Sequence, residues 1–161
     1  CHSDQALKLL TDPSAAEYEI LAAIPYQINQ VVLHSDIRLL PKLRRSWASW
    51  NYILLNHGEA DSVSESVALT YNMNILQKLN SATTFCVTVN GGEAIDPEKI
   101  YGEYHYSHPV FTRESVAAQA RWAEISGVNR THFCGAYWRN GFHEDGVVSA
   151  IRVAETLGEM W

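Results

Sequence analysis

A glycine-bounded segment near the C-terminus contains the residues of this chain with the clearest potential for chemistry. It runs from Thr131 to Ala154, and its sequence predicts a strand, a loop between Gly135 and Gly141, and a helix that begins near Gly146. The first turn of a helix has unpaired N–H groups and a partial positive charge, so it can bind an anion such as a pyrophosphate. The pattern predicts either a cofactor-binding turn or a strand, loop and helix that only complete the fold.

The residues around Gly146 qualify that prediction. Glu144 and Asp145 stabilise a helix N-terminus, but they also compete with an anionic ligand for the same position. Any phosphate contact is therefore expected from backbone N–H groups, with both side chains turned away. Gly158 is expected to end the helix. Apolar spacing predicts a buried helix face made of Val147, Ile151, Ala154 and Leu157.

A second candidate set consists of histidines with one cysteine, namely His105, His108, His132, His143 and Cys134. His132 and Cys134 share a face of the predicted last strand, whereas the spacing of His105 and His108 points them to different faces. A zinc site would need closure over long sequence separations. Ordinary core and surface histidines are the expectation, and no metal is predicted.

The three cysteines give little support for nucleophilic catalysis. Cys86 lies in an apolar strand and is expected to be an inert, buried thiol. Cys1 or Cys134 paired with a histidine remains the alternative, and no catalytic residue is predicted. An odd, sparse count without CxxC spacing does not match a disulfide framework, which favours a reducing, cytoplasmic setting.

Composition restricts the function classes further. The 161 residues suit a domain of ordinary size with a real core, and 47% apolar against 19% charged residues indicates a globular chain. Net charge is −6, and the one basic cluster, Lys42 with Arg44 and Arg45, is interpreted as a solvated loop. No apolar run approaches the roughly 20 residues that span a bilayer. Neither nucleic acid nor a membrane is therefore predicted as a partner.

The elements that must position these residues follow from residue patterns. Ser14 and Glu17 form a capping box at the start of a helix, and Thr112 is the predicted N-cap of another. Helices are predicted over 3–10, 14–23, 73–79, 112–124 and 146–157. Strands are predicted over 29–35, 46–55, 66–72, 83–89, 100–107 and 129–138. Residues 56–66 are interpreted as a loop. Short connections between strands predict a mixed α+β fold with an antiparallel sheet and flanking helices.

Aromatic residues are frequent in the predicted strands. Trp50 and Tyr52 alternate with smaller residues and so face the same side. Such a face either lines an apolar ligand pocket or packs as ordinary sheet surface, and ordinary packing is favoured.

Residues 134–154, with the sequence CGAYWRNGFHEDGVVSAIRVA, resemble the C-terminal flavin-binding motif of FAD-dependent amine oxidases and related desaturases. Segments that resemble a bacterial branch of this family, the predicted NAD/FAD-binding proteins, recur along nearly the whole chain. They are 2–7, 26–29, 32–36, 40–41, 47–52, 70–74, 106–111 and 142–146.

The resemblance implies an organisation and a cofactor. Residues 1–24 would be the tail of an FAD-binding segment with a linking helix, 25–128 a substrate-binding domain, and 129–161 the strand, turn and helix that return to the FAD-binding domain. The substrate would be a small molecule. The residues near the flavin would be Gly135, Gly141, Phe142, His143, Glu144, Asp145, Gly146 and Val147.

Departures from the family pattern limit what it implies. Ala136 stands where many relatives have an acidic residue, and Ala150 stands where many have glycine. No GxGxxG turn is present, so the N-terminal dinucleotide-binding portion would be missing, and a first residue of Cys1 fits a fragment. The chain is expected to be part of a flavin-dependent oxidoreductase, inactive alone and weak or absent in FAD binding. A stand-alone small-ligand module and an inactive structural fragment are the alternatives.

Overall fold

The structure, a computed structural model, describes residues 1–55 and 66–159. It has a mixed α+β fold with a five-stranded antiparallel sheet, which confirms the predicted fold class. Nearly all of the predicted 56–66 loop lies outside the described residues. The helices are α1 (Ser3–Leu9), α2 (Ala15–Ala22), α3 (Met73–Leu76), α4 (Arg113–Ala120), α5 (Trp122–Ile125) and α6 (His143–Thr156). The strands are β1 (Tyr26–His34), β2 (Trp50–Leu55), β3 (Ser66–Asn72), β4 (Cys86–Val89) and β5 (Ile100–Pro109).

The chain divides into two compact units. The helical unit comprises residues 1–27 and 108–161, and the sheet unit comprises residues 28–107. The segment 108–128, which the family resemblance groups with the substrate domain, belongs to the helical unit. The functional assignment of 1–24, 25–128 and 129–161 stays a prediction.

The sheet has the strand order β2-β3-β4-β1-β5. β2 and β3 pair antiparallel, and β3 and β4 pair antiparallel around the short helix α3. β4 then pairs with β1 in a register that places Val32 opposite Thr88. Because side chains alternate along a strand, Val32, Thr88 and Thr70 share one face. All three are fully buried, so this face forms the interior of the sheet unit.

The apolar part of that interior is small. It includes a cluster of Val32, Leu39 and Ile95, with Ile53 and Ile100 packed against them, and Ala68 and Cys86 are also fully buried. Much of the remaining buried face is polar, which makes hydrogen bonding as important as apolar burial for the stability of this unit.

The helical unit has the larger apolar core, built from Ala6, Ile20, Leu21, Ile24, Ala118, Trp122, Ile125, Phe133, Tyr137 and Trp138. Ile20 and Leu21 have no exposed surface, and burying each contributes roughly 1.5–3 kcal/mol. α2 is capped as predicted, because Ser14 Oγ accepts from the Glu17 N–H and Glu17 accepts from the Ser14 N–H. The predicted Thr112 cap is also confirmed.

Two sequence predictions about elements are wrong. β2 begins at Trp50 and not at residue 46, because residues 44–46 form a 3-10 turn. The predicted strand over 129–138 is absent from the described structure, where the segment has one isolated bridge between Val128 and Thr131 and a 3-10 turn over Ala136–Trp138. A strand needs a neighbour to pair with, and no strand among the described residues pairs with this segment.

Candidate functional site

The loop–helix segment, defined as Gly135–Val147, contains every residue that the sequence analysis placed near a flavin. All of them lie in the helical unit, within one 3-10 turn, a short loop and the first turns of α6. Gly135, Gly141 and residues 142–147 are near one another in sequence, and the structure places them in one turn, loop and helix start. Whether they contact a cofactor stays a prediction.

The helix of this segment begins at His143, three residues earlier than predicted. The reason is Asp145, whose carboxylate accepts a hydrogen bond of 3.0 Å from the Phe142 N–H and so closes the first turn. Arg139 Nε lies 3.7 Å from the same carboxylate. Asp145 is consequently buried and turned into the loop, whereas Glu144 is exposed. Gly146 lies inside the helix and not at its start.

Side-chain hydrogen bonds fix the loop against its surroundings. Ser149 Oγ accepts from the Gly135 N–H at 2.8 Å and donates to the Gly146 carbonyl at 2.9 Å. Gln119 Nε2 donates to the carbonyls of Tyr137 and Arg139. A Cβ atom on Gly135 would collide with the Tyr137 ring, so the glycine is required for this packing. The loop is thus held in one conformation.

The first turn of α6 leaves donors free. The backbone N–H groups of residues 143–145 lie too early in the helix to find an acceptor four residues back. No side chain caps them among the described residues, since the carboxylate of Asp145 is used by Phe142. Three N–H groups at the positive end of a fourteen-residue helix are a donor set that suits phosphate or carbonyl oxygens.

The predicted buried face of α6 is wrong for two of its four residues, since Ile151 and Ala154 are partly buried. Val147 is 52% exposed and Leu157 is 64% exposed, whereas the buried residues of the helix are Asp145 and Ser149. The spacing of the apolar residues matches the period of a helix, but no described element covers Val147 and Leu157. Gly158 ends the helix as predicted, with a φ of 89° and hydrogen bonds from residues 158 and 159 back to the last turn.

Two aromatic residues of the loop are enclosed in the core of the helical unit. Tyr137 and Trp138 lie 5.0 Å apart between ring centroids, and both are buried. Neither the Tyr137 hydroxyl nor Trp138 Nε1 has a hydrogen-bond partner among the described residues. Burial raises the pKa of the Tyr137 hydroxyl far above its usual range. These two polar atoms face protein and not solvent.

The uncapped first turn of α6 determines which ligand groups the segment could bind. Its uncapped donors are the N–H groups of residues 143–145, and a Cβ on Gly146 would lie in van der Waals contact with Ala136, 3.9 Å away. A methyl group at Gly146 would therefore fit against Ala136 without a clash, and whether a flavin contacts the donors stays a prediction. The Glu144 carboxylate, exposed in the same turn, opposes a dianionic group there.

The sheet unit carries an exposed aromatic surface on β2. Trp50, Tyr52 and Leu54 alternate along this strand and are all exposed, with Tyr52 at 73%. Trp50 packs edge-on against Tyr71 of β3 at 5.6 Å. We call Trp50, Tyr52, Leu54 and Tyr71 the aromatic surface. The expectation that Trp50 and Tyr52 face the same side is consistent with their register against Tyr71 and Leu69.

The histidine set does not assemble. No group of three or more histidine, cysteine, aspartate or glutamate side chains close enough to hold a metal occurs in residues 1–55 and 66–159. His105, His108, His143 and Cys134 are exposed, and His132 Nδ1 lies 3.4 Å from the Thr156 hydroxyl. Cys86 is buried as expected, and burial raises the pKa of its thiol to about 11, so the reactive thiolate is suppressed.

Sequence analysis missed a polar network in the interior of the sheet unit. His34 Nδ1 accepts from the Asp36 N–H, so Nε2 carries the proton and donates to Thr88 Oγ1 at 2.7 Å. Thr88 in turn lies 2.8 Å from Thr70 Oγ1. Asn51 of β2 continues the line by donating to the Thr70 carbonyl. The available signal was the occurrence of polar residues at inward positions of otherwise apolar strands.

Asp36 closes one end of this network. Its carboxylate has no exposed surface, forms an ion pair with Arg38, and accepts from the Asp96 N–H at 2.9 Å. Lys99 Nζ lies 3.9 Å away. The hydrogen bonds from Arg38 hold the pKa of the Asp36 carboxyl well below its usual range, although burial opposes this shift.

Comparisons with known proteins leave the family open. No family model and no curated protein matches this chain. Within the described residues, no helix is both long enough and apolar enough to cross a bilayer.

Proposed function

We propose that this chain is the C-terminal portion of an FAD-dependent, amine oxidase-like oxidoreductase. In this proposal the loop–helix segment contacts the cofactor. The observation that carries the proposal is the set of uncapped N–H donors on residues 143–145, at the positive end of α6. The Asp145 carboxylate accepts from the Phe142 N–H and lies 3.7 Å from Arg139 Nε, so it does not cap the three donors and its charge is partly offset. The resemblance of residues 134–154 to a flavin-binding motif supports a flavin as the partner of these donors.

A bound flavin would supply the redox chemistry by accepting a hydride from the C–H bond of a small substrate. The residues of this chain would bind and orient the cofactor. The N–H groups of residues 143–145 would donate to its oxygen atoms, and Ser149 would hold the loop in place through Gly135. The aromatic surface of the sheet unit would present apolar contacts to the substrate. No described residue pair supports a catalytic base.

The exposed apolar face of α6 supports the same proposal. Val147 and Leu157 are large apolar side chains that a packed domain would cover. The dinucleotide-binding portion of such an oxidoreductase, whose GxGxxG turn is not in this sequence, is the proposed partner. We further propose a reducing, cytoplasmic setting, in which three free cysteines are compatible with stability. Without the adenosine half of the site, FAD binding by this chain is expected to be weak and turnover absent.

The test is a titration of the isotope-labelled chain with FAD, followed by amide chemical shifts. Shifts concentrated at residues 141–147 are expected. His143→Pro removes one donor while the helix persists, because proline suits the first helical position and Phe142 already has an extended backbone. This variant should bind FAD about tenfold more weakly, since a hydrogen bond to a charged acceptor contributes about 1.5–3 kcal/mol.

His143→Ala is the matched control, because it removes the same side chain and retains the N–H. It should bind FAD as the unchanged chain does. Shifts confined to other residues, or equal losses in both variants, would contradict the proposed site. Tight, stoichiometric binding with quenched flavin fluorescence would contradict the assignment of the adenosine half to residues outside this chain.

A stand-alone ligand-binding module is the second candidate, and the aromatic surface favours it. N-phenyl-1-naphthylamine, a neutral dye whose fluorescence increases in apolar sites, would test it. Tyr52→Ser should abolish the increase, and Tyr18→Ser, at an exposed tyrosine of the helical unit, is the control. Dye binding without any FAD-induced shift at residues 141–147 would favour the module over the oxidoreductase.

A further inference from the structure

A pocket of about 490 Å³ lies in the connection between β1 and β2, entirely within the sheet unit. Its apolar lining is Ile37, Leu40, Pro41 and Trp47. Its cationic lining is Arg38, Lys42 and Arg44. We call this the loop pocket.

The loop pocket is built on a fixed frame. Asp36 holds its first end, because the buried carboxylate accepts from both the backbone and the side chain of Arg38. Leu39 and Leu40 are buried and anchor the middle of the connection. Trp47 Nε1 donates to the Pro41 carbonyl at 2.8 Å and closes the far end. A ligand would therefore find the walls in place and would not have to order them.

The three cationic side chains of the pocket differ in whether an ion pair already neutralises them. Arg38 is neutralised by Asp36. Lys42 and Arg44 form no ion pair with any side chain in residues 1–55 and 66–159. The guanidinium of Arg44 lies 5.1 Å from the centre of the Trp47 ring, which holds it over an apolar wall. Two unpaired cations thus border an apolar cavity in a chain whose net charge is −6.

We propose that the loop pocket binds an amphipathic carboxylate, with the apolar body against Leu40, Pro41 and Trp47 and the carboxylate on Arg44 and Lys42. The planar guanidinium accepts a carboxylate through two parallel N–H bonds, and Lys42 adds a second positive charge. The apolar lining requires a ligand with a hydrocarbon part. The loop pocket shares no residue with the loop–helix segment. A negative result for flavin binding therefore leaves this proposal unchanged, and the reverse also holds.

Decanoate is the probe, and isothermal titration calorimetry with amide and indole NMR shifts is the measurement. Decanoate should bind with one site per chain and shift the indole N–H signal of Trp47, which Trp47→Phe identifies. Acetate has the same head without the chain, and 1-decanol has the same chain without the charge. Both should bind at least about tenfold more weakly, because each loses one of the two contributions.

Three charge substitutions locate the site. Arg44→Gln and Lys42→Gln should each weaken decanoate binding by about tenfold, the loss expected for one charge-assisted hydrogen bond. Arg45→Gln removes the same charge from the neighbouring residue, which is exposed and outside the pocket lining. Its affinity should be unchanged. All three side chains are exposed, and circular dichroism would confirm that each variant is folded.

Equal losses in all three variants would overturn the proposal, because they would indicate attraction to general surface charge. Equal binding of decanoate and acetate would overturn the amphipathic ligand. Vesicles of phosphatidylglycerol distinguish a free ligand from a bilayer surface: tight vesicle binding without stoichiometric decanoate binding would identify a membrane contact and would also overturn the pocket.

Discussion

The two units of this protein differ in how completely their buried polar atoms are hydrogen-bonded. In the sheet unit, His34, Thr70, Thr88 and Asp36 are all fully buried, and each has a hydrogen-bond partner. In the described helical unit, three enclosed polar atoms have no such partner: Asp4 Oδ1, the Tyr137 hydroxyl and Trp138 Nε1. The sheet unit with its small apolar cluster depends on polar pairing, whereas the helical unit has an apolar core large enough to offset unpaired groups.

The pairing of polar groups also distinguishes those with a structural role from those that could bind a ligand. An internally satisfied network leaves no donors for a ligand, so the polar interior of the sheet unit is interpreted as structural. The first turn of α6 has unused donors at the surface, and the loop pocket has unused cations. Sites are therefore to be sought where polar groups are both unpaired and accessible.

The largest test of the comparison is Asp36→Asn. The Asp36 carboxylate accepts hydrogen bonds from the Arg38 side chain and the Asp96 N–H. In the variant, one of the two oxygen acceptors becomes an NH₂ donor that faces another donor. Arg38 is 62% exposed, so the ion pair lies close to solvent and its loss costs less than a deep one. We expect a loss of about 2–3 kcal/mol in the free energy of unfolding, measured by chemical denaturation followed by circular dichroism.

Asp12→Asn is the control for that substitution, because Asp12 is exposed and the change in charge is the same. It should alter the free energy of unfolding by less than about 0.5 kcal/mol. Similar effects of the two substitutions would show that the sheet unit does not depend on the Asp36 contacts.

Thr70→Val should have a smaller effect. The substitution preserves shape but leaves the Thr88 hydroxyl without its acceptor. We expect a loss of about 1–2 kcal/mol in the free energy of unfolding, the cost of one unsatisfied buried hydroxyl. Thr83→Val, at an exposed threonine, should cost less than about 0.5 kcal/mol. A neutral Thr70→Val would mean that the network contributes nothing beyond packing.

The pH dependence of stability provides a graded test of the same network. Burial lowers the pKa of His34 below its usual 6.5, so the unfolded state takes up a proton more readily than the folded state. The contribution of neutral His34 is fully present above about pH 6.5 and is lost as the pH falls below that value. Asp36, whose folded pKa is also lowered, adds a second loss only below its usual 3.8.

His34→Gln isolates the first of these losses. Unfolding free energies measured at about pH 7 and about pH 5 should differ less in this variant than in the unchanged chain. An identical difference in both would assign the pH dependence to other groups.

The smallest expected effect concerns Gly146. This residue lies inside α6 with room for a methyl group, so Gly146→Ala should increase the free energy of unfolding by about 0.5–1 kcal/mol. The same methyl group would obstruct a cofactor at the first turn, so FAD-induced shifts at residues 141–147 should weaken. Increased stability with unchanged FAD binding would contradict a close cofactor approach.

Gly158→Ala is the matched control for Gly146→Ala, and its expected effect on the free energy of unfolding has the opposite sign. Its Cβ would meet no atom within 4 Å, but the φ of 89° disfavours alanine. The free energy of unfolding should fall by about 1 kcal/mol. Comparing the two glycines separates backbone conformation from available space.

Local chemistry allowed most elements to be predicted. The Ser14 and Thr112 caps, the end of α6 at Gly158 and the apolar strands that form the antiparallel sheet all depend on residues close in sequence. The predicted strand over 129–138 was wrong because a strand depends on a distant partner. The exposed face of α6 was mispredicted for the same reason: periodicity identifies an apolar face, but only tertiary packing decides whether it is covered.

By itself the sequence determined where helices start and stop, which segments are extended, and that Cys86 is enclosed. Tertiary structure alone decided that His34, Thr88 and Thr70 meet across three strands, and that Arg38 and the Asp96 backbone converge on Asp36. It also decided that Lys42 and Arg44 border a pocket with Trp47. The physical reason is that caps and periodicity act over a few residues, whereas hydrogen-bond satisfaction and pocket formation depend on strand register and chain closure over dozens.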